Sequence, residues 1–326
     1  MMRTKPVSVI AHDAHPSPPC PAIASPRPLW LPVGVRRSLV SLVVTGASGA
    51  LGRLVVAALL DRVDAAELIL VSRSPDALAD AARRGATVRY GDFERPASLP
   101  AAFAGGRRML AISTIGAVDT AAAHRSAFEA AAGAGVEHIV WTSVCNPVPD
   151  NPFPPAKTHA RGEQDLRATG VPATILRNAL YAELRVPIAA KYNHDGRWTT
   201  NMGNGSHAFV ARTDCAASAA AALIESDPAG RVYEITGPEL VDAQQYVALL
   251  EEFGGRQVVR DDVDDVAYER YRAALSADPD ATYFELFTGT GEAIRTGHIG
   301  QLGDGVRQLT GHSPRSLREV FRRHYS

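Results

Sequence analysis

Gly46, Gly49 and Gly52 recur at three-residue intervals in the run Gly46-Ala47-Ser48-Gly49-Ala50-Leu51-Gly52. An apolar stretch, Leu42-Val43-Val44, precedes the run and an amphipathic one, Leu51–Leu60, grows out of it. Glycines so placed at a strand-to-helix junction let main-chain N–H groups and a helix N-terminus converge on one anion. Gly46 permits the tight turn, Gly49 lets phosphates approach the backbone, and Gly52 allows close helix–strand packing. A dinucleotide pyrophosphate is therefore expected against Gly46, Ser48, Gly49, Ala50, Leu51 and Gly52. A plain turn without a ligand is the other reading of the same glycines.

A site that prefers NAD offers Asp or Glu at the end of the second strand, for the ribose 2′-hydroxyl. Here that strand ends Val71-Ser72-Arg73-Ser74. No carboxylate repels a 2′-phosphate, and Arg73 can pair with one bidentately, so NADP(H) is the expected cofactor. A solvated surface arginine is the alternative. Gly91-Asp92-Phe93 ends the third strand, where adenine usually lies. Asp92 could accept from its amino group and Phe93 pack on its face, or Asp92 could cap the next helix and Phe93 join the core.

At the reacting end, Ser113-Thr114 and Thr142-Ser143-Val144 close the fourth and fifth strands. Ser113, Thr114 and Ser143 are expected at the nicotinamide ribose and Val144 on the substrate side, unless they only form turns and caps. No tyrosine is followed four residues later by lysine, and the helix that would carry that pair reads Lys157-Thr158-His159-Ala160-Arg161-Gly162-Glu163. Hydride delivered to an ordinary ketone leaves an alkoxide that needs an acid. Acceptors whose product anion is already stabilised, such as quinones, or acceptors that are cations, need only be held against the cofactor. Cys145, near this end, has no patterned base and reads as a small buried hydrophobe.

The elements that position these residues follow from the apolar pattern. From Leu39, short apolar runs alternate with helix-length amphipathic stretches, which is how βαβ units around a buried parallel sheet read. Strands are expected at Leu39–Thr45, Glu67–Ser72, Ala86–Tyr90, Arg108–Ser113, Glu137–Thr142 and Pro172–Leu176, with helices starting near Ala50, Pro75, Pro96, Asp119 and Ala156. The fold class is α/β: a Rossmann, doubly wound parallel sheet over 39–180, with a smaller C-terminal α/β cap over 181–326 interleaved with it. Residues 1–38 carry eight prolines and no surviving period, and are expected to be a disordered tail or an upstream extension of the reading frame, with a targeting peptide as the alternative reading.

Composition narrows the partners. A chain of 326 residues with 46% hydrophobic and 21% charged residues can bury a sizeable core. A formal net charge of -1 without a long basic run argues against nucleic acid. Three scattered cysteines give no metal-ligand spacing, and no apolar run reaches the length of a membrane span. A cytoplasmic protein acting on a small molecule is expected, and a homodimer is compatible with it.

The runs Val44-Thr45-Gly46-Ala47-Ser48-Gly49-Ala50-Leu51-Gly52, Ala134-Gly135-Val136, Trp141-Thr142-Ser143 and Leu176-Arg177-Asn178-Ala179-Leu180-Tyr181, with Arg73, His159 and Glu163, resemble the NmrA-like atypical short-chain dehydrogenases. Within that group they look like the type 2 NAD(P)H:quinone oxidoreductases and the triphenylmethane reductases. The resemblance runs from about Leu42 to the C-terminus. It implies reduction of quinones or similar conjugated acceptors by NADPH, without flavin or metal. His159 and Glu163 would stand where the tyrosine and lysine of an ordinary short-chain dehydrogenase lie, and Asn178 and Tyr181 would border the acceptor. Gly162 departs from the pattern, because threonine usually precedes the glutamate. Bland readings stay open: a surface contact for the His/Glu pair, a helix cap at Ala179 for Asn178, and core packing for Tyr181. Two other functions remain as well. One is a non-catalytic NADP(H)-sensing regulator, and the other is an enzyme resembling isoflavone reductases with Lys157 as its base.

Overall fold

The computed structural model describes residues 41–114, 117–186, 189, 196–225, 230–276 and 289–326. These residues belong to a compact unit that runs from Leu39 to Ser326. The expected tail, 1–38, lies outside the described residues. No described helix is long and apolar enough to cross a membrane.

Five βα-type steps and a sixth strand open the fold. Strands β1 (Leu42–Val44), β2 (Leu68–Ser72), β3 (Thr87–Tyr90), β4 (Arg108–Ala111), β5 (His138–Val144) and β6 (Ala173–Asn178) alternate with helices α1 (Ala50–Leu60), α2 (Ala79–Arg83), α3 (Leu99–Phe103), α4 (Thr120–Gly133) and α5 (Pro154–Ala168). Every residue of β1 and β2 is buried, as parallel strands covered on both faces require. The chain continues through β7 (Leu180–Tyr181), β8 (Arg197–Thr200), β9 (Ser206–Val210), α6 (Arg212–Ile224), β10 (Val232–Ile235), β11 (Leu240–Asp242), α7 (Ala243–Gly254) and β12 (Val259–Asp262).

The main sheet has seven strands in the order β10-β6-β5-β4-β1-β2-β3, and its neighbours pair in parallel. Helices α1 and α6 cover one face, where Val55 and Leu59 meet Ala216, Ala219 and Leu223. Helices α3, α4 and α5 cover the other through Phe103, Phe128 and Leu166, packed on Trp141 of β5. The chain leaves β1 toward one edge and β4 toward the other, so the ligand crevice lies at their carboxyl ends.

The cap consists of a three-stranded sheet, β11-β9-β7, and the β12-β8 pair. A third core holds it, built on Trp198, Phe209, Tyr246, Leu250 and Phe321. Interleaving is extensive, because α6 and β10 return to the main sheet from within 181–326.

Three strand ends differ from expectation by two residues, and the first is β4, which stops at Ala111 and leaves Ser113 in the segment after it. Strand β5 runs on to Val144 and β6 to Asn178, since their register pairs Ser143 with Arg177 and Val144 with Asn178. No helix begins at Ala179: Leu180 and Tyr181 form β7, parallel to β9. Asn178 is thus the last residue of a strand and caps nothing.

Candidate functional site

The glycine loop is shaped by its own backbone. Gly46 has φ of 60°, in the left-handed region. A Cβ on Gly52 would stand 2.1 Å from the Gly46 carbonyl oxygen and 2.8 Å from Ala47 Cα. Gly52 therefore lets the start of α1 fold against its own loop, rather than against a strand as expected. The Gly49 N–H donates to Gly46 O at 2.9 Å, which closes the turn just before the helix. Main-chain N–H groups of Ala50, Leu51 and Gly52 then lie in the first helical turn, where no carbonyl of the helix can take them. With the helix dipole behind them, they have the geometry that can receive an anion such as phosphate. Leu51 offers only main chain, as its side chain is buried in the core.

A cleft of about 330 Å³ opens at this loop, lined among others by Gly46, Ser48, Gly49, Arg73, Asp92, Phe93, Ser113 and Thr114. Ser48 Oγ and Ser72 Oγ lie 2.6 Å apart, and the Ser74 N–H donates to Ser72 Oγ at 2.8 Å. Ser72 is buried, so it braces the loop against β2. Arg73 is exposed at the cleft and pairs with no other described residue. On the far wall, Asp92 Oδ1 accepts the Glu94 N–H at 3.1 Å, a local turn rather than the helix cap weighed for it, since the next helical turn starts at Pro96 with Arg95 before it and no side-chain cap. Phe93 is half-buried: it packs against the core cluster that includes Leu99 and Phe128, and it also lines the cleft.

Ser143 is placed elsewhere. Its side chain is buried, and its hydroxyl donates to Glu163 Oε1 at 3.2 Å, away from the cleft lining. The longer β5 explains the difference, since a residue inside the strand cannot turn outward as a loop residue would.

His159 and Glu163 do not work as a pair. The His159 ring stacks on Trp141 at 5.1 Å with 13° between planes, and meets His124 edge-on at 5.5 Å. Burial, with His124 beside it, pulls the His159 imidazole down to about 3, so it is neutral. Glu163 instead accepts Arg177 Nε and Nη2, each at 2.9 Å, and Arg167 Nη2 at 2.8 Å. Burial pushes its carboxyl up, but the Arg177 and Arg167 guanidinium groups outweigh that and hold it below its ordinary value. Both residues are buried, so the surface contact is excluded too, and neither lines the cleft.

Gly162 has its reason in the same place. A Cβ there would lie 2.6 Å from Cη2 of Trp141, so the threonine usual at this position would collide with the indole. Lys157 is exposed on α5. Val144 is half-buried at the carboxyl end of β5, beside Asn178. Asn178 is 5% exposed; its Nδ2 donates to the Tyr181 hydroxyl at 3.3 Å, and its Oδ1 has no partner among the described residues. The Tyr181 ring lies under the Arg212 guanidinium at 5.3 Å, and burial pushes its phenol up. Burial likewise pushes the Cys145 thiol up to about 12, which suits an inert core residue.

The sequence reading missed His124, Thr45 and the role of Arg177. His124 was findable: it is the polar ring in the apolar stripe Ala123, His124, Ala127, Phe128, Ala131 of an alanine-rich helix. Arg177 was hidden, because its partners Glu163 and Glu234 lie on other elements.

Residues 46–226 match the model of the NAD(P)H-binding family. Quinone oxidoreductase 2 of Escherichia coli (strain K12) is 33% identical over 217 residues, covering 67% of this chain and 76% of that protein. Among solved structures, E. coli NADPH-dependent quinone oxidoreductase complexed with NADPH superposes with a TM-score of 0.80 at 28% identity, over 87% of this chain and 100% of that one. The Citrobacter sp. triphenylmethane reductase complexed with NADP(H) gives a TM-score of 0.79 at 31% identity, over 87% and 99%.

Proposed function

The chain belongs to the NAD(P)H-binding, NmrA-like family, and from that premise we propose that it is an NADPH-dependent reductase delivering hydride directly to a quinone or similar conjugated acceptor. The dihydronicotinamide supplies the hydride when NADPH is bound. The glycine loop would hold the pyrophosphate, Arg73 the 2′-phosphate, Asp92 and Phe93 the adenosine, and Ser113 with Thr114 the second ribose. Val144, Asn178 and Tyr181 would border the acceptor.

One observation carries the choice of acceptor. On the helix where an acid for carbonyl reduction would sit, His159 is neutral and locked against Trp141, while Glu163 is ionised and locked among arginines. Neither can hand a proton to an alkoxide. The absence of a free acid on this helix supports an acceptor that stabilises its own product anion, as a quinone does, or begins as a cation. This chemistry calls for neither flavin nor metal. Among the described residues no three His, Cys, Asp or Glu side chains gather as a metal site would.

The test is NADPH oxidation against a panel of quinones, a triphenylmethane cation and simple ketones. Turnover is expected with the first two classes and not with the third. A protein that binds NADPH tightly and reduces none of them would be a redox sensor instead. Lys157→Ala should leave turnover unchanged, and its loss would favour the chemistry of an isoflavone-reductase-like enzyme.

A further inference from the structure

Three consecutive main-chain amides leave the end of β4, and each donates to a side chain from a different element. The Ile112 N–H donates to Thr45 Oγ1 at 3.0 Å, the Ser113 N–H to Thr142 Oγ1 at 2.9 Å, and the Thr114 N–H to His124 Nε2 at 3.1 Å. Thr45 follows β1, Thr142 belongs to β5, and His124 lies on α4. Ile112, Ser113 and Thr114 all line the cleft, so this braced segment forms one of its walls.

We infer that His124 is a positioning residue for the cofactor, fixing the strand-four exit as a main-chain shelf that accepts from the ribose hydroxyls on the nicotinamide side.

The chemistry follows from where the donors go. With all three N–H groups taken from behind, the main chain of the shelf has only carbonyl oxygens left for a ligand. Ribose hydroxyls donate to such oxygens, whereas a phosphate would be repelled by them. The glycine loop, rich in unpaired N–H groups, takes the phosphates. The two walls therefore sort the dinucleotide by hydrogen-bond polarity and set its register along the cleft. The shelf lies on the β4–β5 side of β1, away from Arg73, which follows β2, and so on the nicotinamide half of a dinucleotide bound across the switch point.

His124 suits the task because its state is fixed. Accepting from Thr114 through Nε2 places its own proton on Nδ1, and burial among Phe128, Trp141 and His159 keeps the ring neutral, pulled down to about 4. The ring packing accounts for its shape, but packing alone would be met by any flat apolar side chain. Only the Thr114 contact requires an acceptor at the Nε2 position.

This inference rests on the cleft holding NADP(H), and the test separates the two. Dissociation constants for NADP⁺ and for adenosine 2′,5′-bisphosphate, which lacks the second ribose, are measured calorimetrically on wild-type protein, His124→Leu and His124→Gln. Glutamine can present its amide oxygen close to the Nε2 position. His124→Leu should weaken NADP⁺ by roughly five- to tenfold, the size of one lost hydrogen bond, and leave the fragment within about twofold. His124→Gln should restore NADP⁺ binding. Thr142→Val, which strips the acceptor from the Ser113 N–H, should weaken NADP⁺ alone in the same way and carries the test if His124→Leu does not fold. Unchanged NADP⁺ binding in the folded variants, equal weakening of the fragment, or no rescue by glutamine overturns the role of His124. Wild-type protein that binds neither ligand would overturn the cofactor reading itself.

Discussion

Arg177 grips Glu163 through two parallel hydrogen bonds, Nε to Oε1 and Nη2 to Oε2, both 2.9 Å long. The carboxylate is buried, the guanidinium is 25% exposed on its side chain, and Glu234 lies 3.2 Å from Nη1 on the next strand. The contact ties α5 to β6 and β10 where a catalytic helix would otherwise present its acid. Removing Arg177 leaves the buried carboxylate to Arg167 alone and takes away the two-pronged contact, which costs about 1.5–3 kcal/mol. Arg177→Met should therefore lower the urea midpoint markedly. Neither residue lines the cleft, so NADPH affinity of the folded fraction should stay at the wild-type value. A variant of normal stability would show that the pair holds nothing.

Gly52→Ala should abolish the phosphate cradle. The added methyl would sit 2.1 Å from the Gly46 carbonyl oxygen, and backbone cannot give way as a flexible side chain can. Fluorescence titration should show NADPH binding weakened by roughly tenfold or more. NADPH affinity at the wild-type level would mean that the loop does not close as described.

Arg73→Ala separates the two nicotinamide cofactors. Charge-assisted hydrogen bonds contribute about 1.5–3 kcal/mol, so NADPH should bind roughly ten- to a hundredfold more weakly, with NADH unaffected. Equal weakening of both would assign Arg73 to the pyrophosphate.

Buried histidines predict acid lability. Burial first, with His124 beside His159 and the Arg185 guanidinium beside His207 second, brings these two rings down to about 3, and burial brings His124 down to about 4. An unfolded histidine titrates near the ordinary value of 6.5. Between these values the unfolded chain binds more protons than the folded one. The stability is therefore fully present above about pH 6.5 and is lost as pH falls toward 4, at about 1.4 kcal/mol per pH unit for each histidine. Urea midpoints measured between these limits should fall with pH, and a flat profile would contradict the neutral state of these rings.

The sheet was legible because buried parallel strands are continuous apolar runs, and the glycine loop because a backbone requirement leaves few residue choices. The position of Arg73 was legible too, since it follows the second strand and lines the cleft. The far end was harder. Ser143 was misplaced, and a helix cap was wrongly allowed for Asn178, by two residues of strand length, which no local pattern fixes, since β5 and β6 extend only because they pair with each other. His159 and Glu163 share a helix, and their spacing suggested a joint task, yet one faces Trp141 and the other Arg177. Their partners come from other strands and helices, so the division was visible only once the sheet had formed.

The most direct measurement is single-turnover reduction of a naphthoquinone by NADPH deuterated at the transferable position, on flavin-free protein, from about pH 6 to about pH 9. Hydride passing to an acceptor that needs no protein acid predicts a primary isotope effect and a rate that stays flat across this range. A rate that follows the titration of a protein acid, or NADPH that binds and is never oxidised, would contradict it.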